Sequence, residues 1–208
     1  MQHAPRPSFR SLLRADLKRY AGTFKQRKEH GMPLRIIIES FFFKSGFQAV
    51  FLFRIASWFY QRGFHYLAWM VTRTNQFLTA AELEYNAVIG PGLMIAHPAG
   101  LTVGRGCVLG RNVTLFQNVT LGATDWRADR IHGFPVLGDN VFVFAGAALL
   151  GSIRIGNDVV VGANAVVIHD LPDGTLAVGN PARILPDRGA AIVAASGLPD
   201  TLHDNNHS

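Results

Sequence analysis

The chain has 208 residues, 49% of them hydrophobic, which is enough to bury a substantial core in one or two domains. Its formal charge of +6 resides in the first 86 residues, where 13 Lys/Arg face 5 Asp/Glu, while residues 87–208 hold 7 against 9. No nucleic-acid-binding motif accompanies that excess, which reads as a solvated helix face or as contact with an anionic surface, and the single Cys107 excludes a disulfide within the chain and allows a reducing compartment.

The opening MQHAPRPSFR has no apolar stretch behind it, so no secretory signal is read there. Ser8 is placed to cap a helix running through Leu13, Leu17 and Tyr20. Pro33 suits the first turn of a second helix, Gly46 and Gly63 punctuate the chain beyond it, and Tyr66 to Leu78 forms a third apolar stretch. The Phe- and Trp-rich region from Ile36 to Val71 is interrupted by Lys44, Arg54 and Arg62, so no uncharged run reaches the roughly 18 residues of a spanning helix. Its aromatic side suits packing between helices and across subunits, with in-plane contact at the inner face of a membrane as the alternative. Residues 1–80 are therefore predicted to form an α-helical N-terminal domain.

From Ile89 onward an aliphatic residue recurs at every sixth position: Ile89, Ile95, Val103, Leu109, Leu115, Leu121, then Leu137, Val143, Leu149, Ile155, Val161 and Val167. The residue two before the anchor is again small or apolar, as at Leu101, Cys107, Val113, Ala147 and Ile153, and glycine often follows the anchor where the backbone turns. A 3.6-residue period cannot generate this. Short strands that bury one or two residues and then bend, three to a coil, do, so the pattern predicts a parallel β-helix of about four coils over 81–185. Two spacings break the rule, between Ile95 and Val103 and between Leu121 and Leu137. After Pro186 the period fades into a C-terminal tail, 186–208, whose last residues from His203 to Ser208 are expected to be disordered.

The segments IGPGLMIAHPAGLTVG, NVTLFQNVTLGAT, GDNVFVFAGAALLGSIRIGNDVVVGANAVV and AVGNPARIL resemble the serine O-acetyltransferase branch of the hexapeptide acyltransferases. FRIASW at Phe53 to Trp58 is similar to part of that family's helical domain. The resemblance implies a left-handed β-helix, a homotrimer and acetyl-CoA as donor; pairing of trimers through the helical domain, a cytoplasmic location and no metal are expected beside it.

Moving an acetyl group from a thioester to an alcohol needs a base for the hydroxyl proton, donors for the developing oxyanion and a groove for the CoA arm. His97 lies where two extra residues enter the period and can leave the regular wall; the resemblance assigns it the base, with Glu82, fifteen residues earlier, as the carboxylate that orients the ring on a neighbouring coil. The small residues Gly122, Ala123, Ala145, Gly146 and Ala163 match the family's cofactor groove, and Arg183 matches a position near the CoA phosphates. The long insertion offers Trp126, Arg127, Asp129, Arg130 and His132 for acceptor or CoA contact.

Two positions depart from the serine enzymes. Ala96 stands where they carry an Asp that holds the serine amino group, and Phe134 stands where they carry a His that helps hold its carboxylate. A zwitterion needs both charges answered, so the expected acceptor is a saccharide or saccharide-linked intermediate, as in polysaccharide biosynthesis, with serine as the alternative. Two other classes compete: a zinc enzyme, for which the repeat region offers only His97, His132 and His169 with no closely spaced pair, and a non-catalytic β-helix scaffold.

Overall fold

The computed structural model describes residues 7–22, 44–124 and 133–196. Among these residues three helices come first: α1 (Phe9–Gly22), α2 (Ser45–Gln61) and α3 (His65–Thr79). Ser8 caps α1 as expected, its Oγ accepting the Ser11 N–H at 3.2 Å. Gly63 forms the turn between α2 and α3 at φ 82°. Gly46, read as a break, instead lies in the first turn of α2, where it lets that helix touch the Ile95 carbonyl; a Cβ there would collide with it. The helix anticipated at Pro33 and the last residues of the tail lie outside the described residues.

The first coil contains β1 (Glu82–Leu83), β2 (Val88–Ile89) and β3 (Met94–Ile95), and the second β4 (Thr102–Val103), β5 (Val108–Leu109) and β6 (Thr114–Leu115). The third holds β7 (Thr120–Gly122), β8 (Val136–Leu137) and β9 (Phe142–Val143), and the fourth β10 (Ala148–Leu150), β11 (Arg154–Ile155) and β12 (Val160–Val161). A fifth is built from β13 (Val166–Val167), a bridge at Leu171 and β14 (Leu176–Val178), after which β15 (Arg183–Leu185) turns back antiparallel to β14. Three parallel sheets result, ordered β1-β4-β7-β10-β13, β2-β5-β8-β11 and β3-β6-β9-β12-β14, which are the three faces of a prism. There are five coils rather than about four, because Leu83, six residues ahead of Ile89, and Leu171 and Ala177, beyond Val167, together supply the three inward positions of one more coil.

All twelve anchors are buried, from Ile89 at 7% exposure to Ile95 and Leu115 at 0%. Stacked at successive rungs they form one core, each burial worth about 1.5–3 kcal/mol. One corner of the prism is held by a polar ladder. Asn112, Asn140 and Asp158 all adopt left-handed φ near 55–58°; Asn112 Nδ2 donates to Asn140 Oδ1 at 3.0 Å and Asn140 Nδ2 to Asp158 Oδ1 at 2.9 Å.

The helical layer closes the first coil through side chains. Asp16, fully buried on α1, accepts Arg54 Nε at 2.8 Å and the backbone N–H groups of Gly92 and Leu93 at 2.9 Å each, while Arg54 on α2 donates to the carbonyls of Ile89 and Gly90 at 2.6 Å. These bonds satisfy backbone groups that an end coil has no further strand to answer. At the far end the tail is not structureless: α4 (Arg188–Ala195) packs Val193 inward and Gly189 N–H donates to the Gly174 carbonyl at 2.8 Å. Among the described residues no helix is long and apolar enough to cross a membrane. α3 leaves Tyr66, Trp69, Met70 and Phe77 exposed.

Candidate active site

The register locates the two extra residues of the first coil. Ala96 N–H donates to Leu115 O, which puts Ala96 level with Phe116, and Asn118 N–H donates to Ala99 O, just as Gly146 N–H donates to Gln117 O and Asn164 N–H to Ala145 O. Ala99, Gln117, Ala145 and Ala163 thus follow one another down a single corner. His97 and Pro98 are the surplus pair at its head, with the His97 side chain exposed and Pro98 buried. Rungs about 4.8 Å apart carry this line roughly 14 Å from the first coil to Ala163 in the fourth.

Arg183 stands at the lower end of the same corner: it pairs with Val178, whose side chain lies over Gly162, the residue before Ala163. Gly146 belongs to the corner for a conformational reason as well, since φ is 73° there and a Cβ would meet the Asn164 side chain. Gly122 and Ala123 do not share this line. Gly122 pairs with Leu150 at the other end of the first face, shortly before residues 125–132 in the sequence.

Glu82 runs beside the chain that follows the bulge, pairing with Thr102, and its N–H donates to Leu101 O at 2.8 Å. Its carboxylate is held from α3, accepting Gln76 Nε2 at 3.3 Å and lying 3.9 Å from Arg73 Nη1. Among the described residues no hydrogen bond or ion pair joins it to His97. Within the chain the carboxylate's partners are thus α3 side chains instead of the imidazole.

Sequence reasoning missed Glu84, whose carboxylate sits 3.8 Å from Arg73 Nη2 and next to that of Glu82. Burial first, then the Glu82 charge, pushes its carboxyl above the ordinary glutamate range, against the pull of Arg73 and Arg105. The folded chain therefore holds this proton at a higher pH than the unfolded chain does. Ionised Glu84 costs stability at neutral pH, and stability is gained as pH falls toward the raised value. Glu84→Gln is expected to raise the melting temperature at pH 7 and to flatten its rise between pH 7 and the ordinary glutamate range; thermal melts across that window check this, and a lower melting point at pH 7 would contradict it. The signal was present in the E-x-E spacing, which on a strand puts both side chains on the outer face.

Phe134 follows the insertion in the sequence. Its ring packs on Gly104 and Gly106 of the second coil, close enough that Cβ atoms there would collide with it. Trp126, Arg127, Asp129, Arg130 and His132 lie outside the described residues. Ala96 heads a second line that continues as Phe116 and Phe144, whose rings stack at 4.8 Å. Cys107 faces the core, where burial pushes its thiol up to about 12 and leaves it without nucleophilic character. A cavity of about 340 Å³ opens elsewhere, between α1, α2 and the first corner, lined by Phe9, Trp58, Tyr60, Tyr85 and Asn86; no residue read as functional from the sequence lines it.

A three-faced prism of hexad coils, with a histidine arched over a corner of small residues, defines a transferase of the hexapeptide-repeat class. Residues 134–169 match the bacterial transferase hexapeptide family (six repeats). The chain is 36% identical over 163 residues to the serine acetyltransferase of Bacillus subtilis, spanning 77% of this chain and 74% of that protein. Soybean serine acetyltransferase complexed with serine superposes with a TM-score of 0.75 at 34% identity, covering 86% of this chain and 70% of that one. A serine acetyltransferase in complex with CoA superposes at 0.74 with 27% identity, covering 86% and 71%. The chain belongs to the serine acetyltransferase family of hexapeptide-repeat acyltransferases and has that family's left-handed β-helix behind an N-terminal helical region.

Proposed function

We propose that this chain is an O-acetyltransferase that moves the acetyl group of acetyl-CoA to the hydroxyl of serine, with His97 as base. The observation that carries the reading is the corner itself: an exposed imidazole at its head, small side chains along it and a guanidinium at its foot. Ala145 and Ala163 leave the backbone open to an extended pantetheine arm, and Arg183 offers a fixed fork for a phosphate. His97 takes the hydroxyl proton as the oxygen attacks the thioester carbonyl. The tetrahedral oxyanion is met by the backbone N–H of Ala123, and the imidazolium returns its proton to the departing CoA thiolate.

The prism is proposed to work as a trimer, in which residues of two neighbours complete each site. A neighbouring chain then brings the far end of the first face, with Gly122 and Ala123, toward the His97 corner, and Glu82 supports the imidazole there. The exposed aromatic face of α3 is the surface through which helical layers meet.

Serine is preferred because the relatives on both sequence and structure carry that name, which reverses the order suggested by Ala96 and Phe134 alone. Those two residues still favour a second reading, a saccharide acceptor: the line Ala96, Phe116, Phe144 is apolar, and Phe134 is committed to packing on Gly104 and Gly106. Release of free CoA thiol from acetyl-CoA, measured with serine and with a panel of sugars, separates the readings. Saturable turnover with serine is expected. Turnover with a sugar alone would transfer the assignment to a saccharide, and no turnover with either would favour a scaffold.

A further inference from the structure

We infer that Tyr20 is a positioning residue for His97, so that the helical layer sets where the base stands; the inference rests on the proposed role of His97. β3 is the outermost strand of its face. The N–H groups of Met94 and Ala96 donate inward to Val113 and Leu115, so the polar groups of Ile95 point the other way, toward the helices. There the Tyr20 hydroxyl answers both: Oη accepts the Ile95 N–H at 2.8 Å and donates to the Ile95 carbonyl at 2.9 Å. One oxygen thus replaces the strand that the end coil lacks.

Nothing about this contact is loose. Tyr20 is 3% exposed and its ring meets Phe47 edge-on at 5.3 Å. Burial makes the phenol far less acidic than an ordinary tyrosine, so the donor persists at any working pH. From the other side Gly46 presses on the same Ile95 carbonyl with no room for a side chain. His97 comes two residues later. Among the described residues the bulge it belongs to is otherwise tied only by backbone: Ala96 to Leu115 before it, and Leu101 to Pro98, Gly100 to Ala80 and Asn118 to Ala99 after it. The hydroxyl of Tyr20 is the side-chain anchor on the approach to the base, reaching it from 75 residues away in the sequence.

A base must stand within a fraction of an ångström of its working position, and a displacement of about 1 Å can cost on the order of 100-fold. Tyr20→Phe keeps the ring packing and deletes only the oxygen. The expected result is a fall in kcat of about 10- to 100-fold, with KM for acetyl-CoA and for the acceptor within about twofold, because the corner from Gln117 to Arg183 is untouched. Val167→Ala, buried in the fifth coil, serves as a control for instability, and it is expected to lower the melting temperature while leaving kcat unchanged. The inference is overturned if Y20F turns over like the parent, if V167A at equal loss of melting temperature loses as much kcat, or if Y20F fails to fold, which would make Tyr20 purely structural. His97→Ala in the same assay separates the two levels: full turnover by H97A removes the base itself, whereas an inactive H97A beside a fully active Y20F removes only the positioning role.

Discussion

Replacement of His97 by alanine is expected to lower turnover by about 10² to 10⁴-fold while the protein folds and melts as before. The side chain is exposed and lies on a two-residue bulge outside the core, so its loss opens no cavity and breaks no hydrogen bond among the described residues. An effect on rate without an effect on stability is the mark of a chemical role. The check is kcat and melting temperature measured on the same preparation, with binding of acetyl-CoA followed separately. Acetyl-CoA should still bind, because Ala145, Ala163 and Arg183 lie on lower coils. Turnover within a few-fold of the parent would sink the assignment and with it the catalytic reading of the bulge.

The second large effect is on stability. Asp16→Ala removes a carboxylate that is fully buried and accepts from Arg54 through two nitrogens, at 2.8 and 3.1 Å, and from the N–H groups of Gly92 and Leu93. That leaves a guanidinium at 3% exposure without its counter-charge, together with two buried donors without acceptors. Breaking one side of such a pair costs about 3–5 kcal/mol, because the surviving charge stays desolvated. For a chain of this size that is a drop in melting temperature on the order of 10 °C. Thermal unfolding followed by circular dichroism measures it. A shift of less than about 2 °C would mean that the helical layer is not fastened to the first coil in the way its bonds indicate. The two substitutions are opposites: one removes chemistry and spares the fold, the other loosens the layer that holds the first coil.

The column was readable because its physics is periodic. An inward side chain at every sixth position, with a small or apolar residue two before it, has few packings other than a three-sided coil, and all twelve anchors from Ile89 to Val167 are buried, the count breaking only at the two insertions. The bulge was readable for the same reason: two surplus residues between Ile95 and Val103 must leave the wall, and His97 is one of them. Ala145 and Ala163 stack because eighteen residues, three hexads, separate them. The fifth coil was undercounted where the hexads lose regularity, at Leu171 and Ala177, and α4 was missed because eight residues with a single buried anchor at Val193 carry little period. The serine preference came from kinship, since two apolar substitutions record only what an acceptor would lack.

The tertiary structure alone decided the pairings between groups far apart in the chain. Glu82 finds Arg73 and Gln76, Asp16 finds Arg54 and the backbone at Gly92, and Tyr20 finds Ile95. Hydrophobic burial is non-directional and repeats along a sequence, so it leaves a pattern that can be counted. A hydrogen bond joins two particular atoms once, leaves no period behind, and becomes visible only when the helices have docked on the end of the prism.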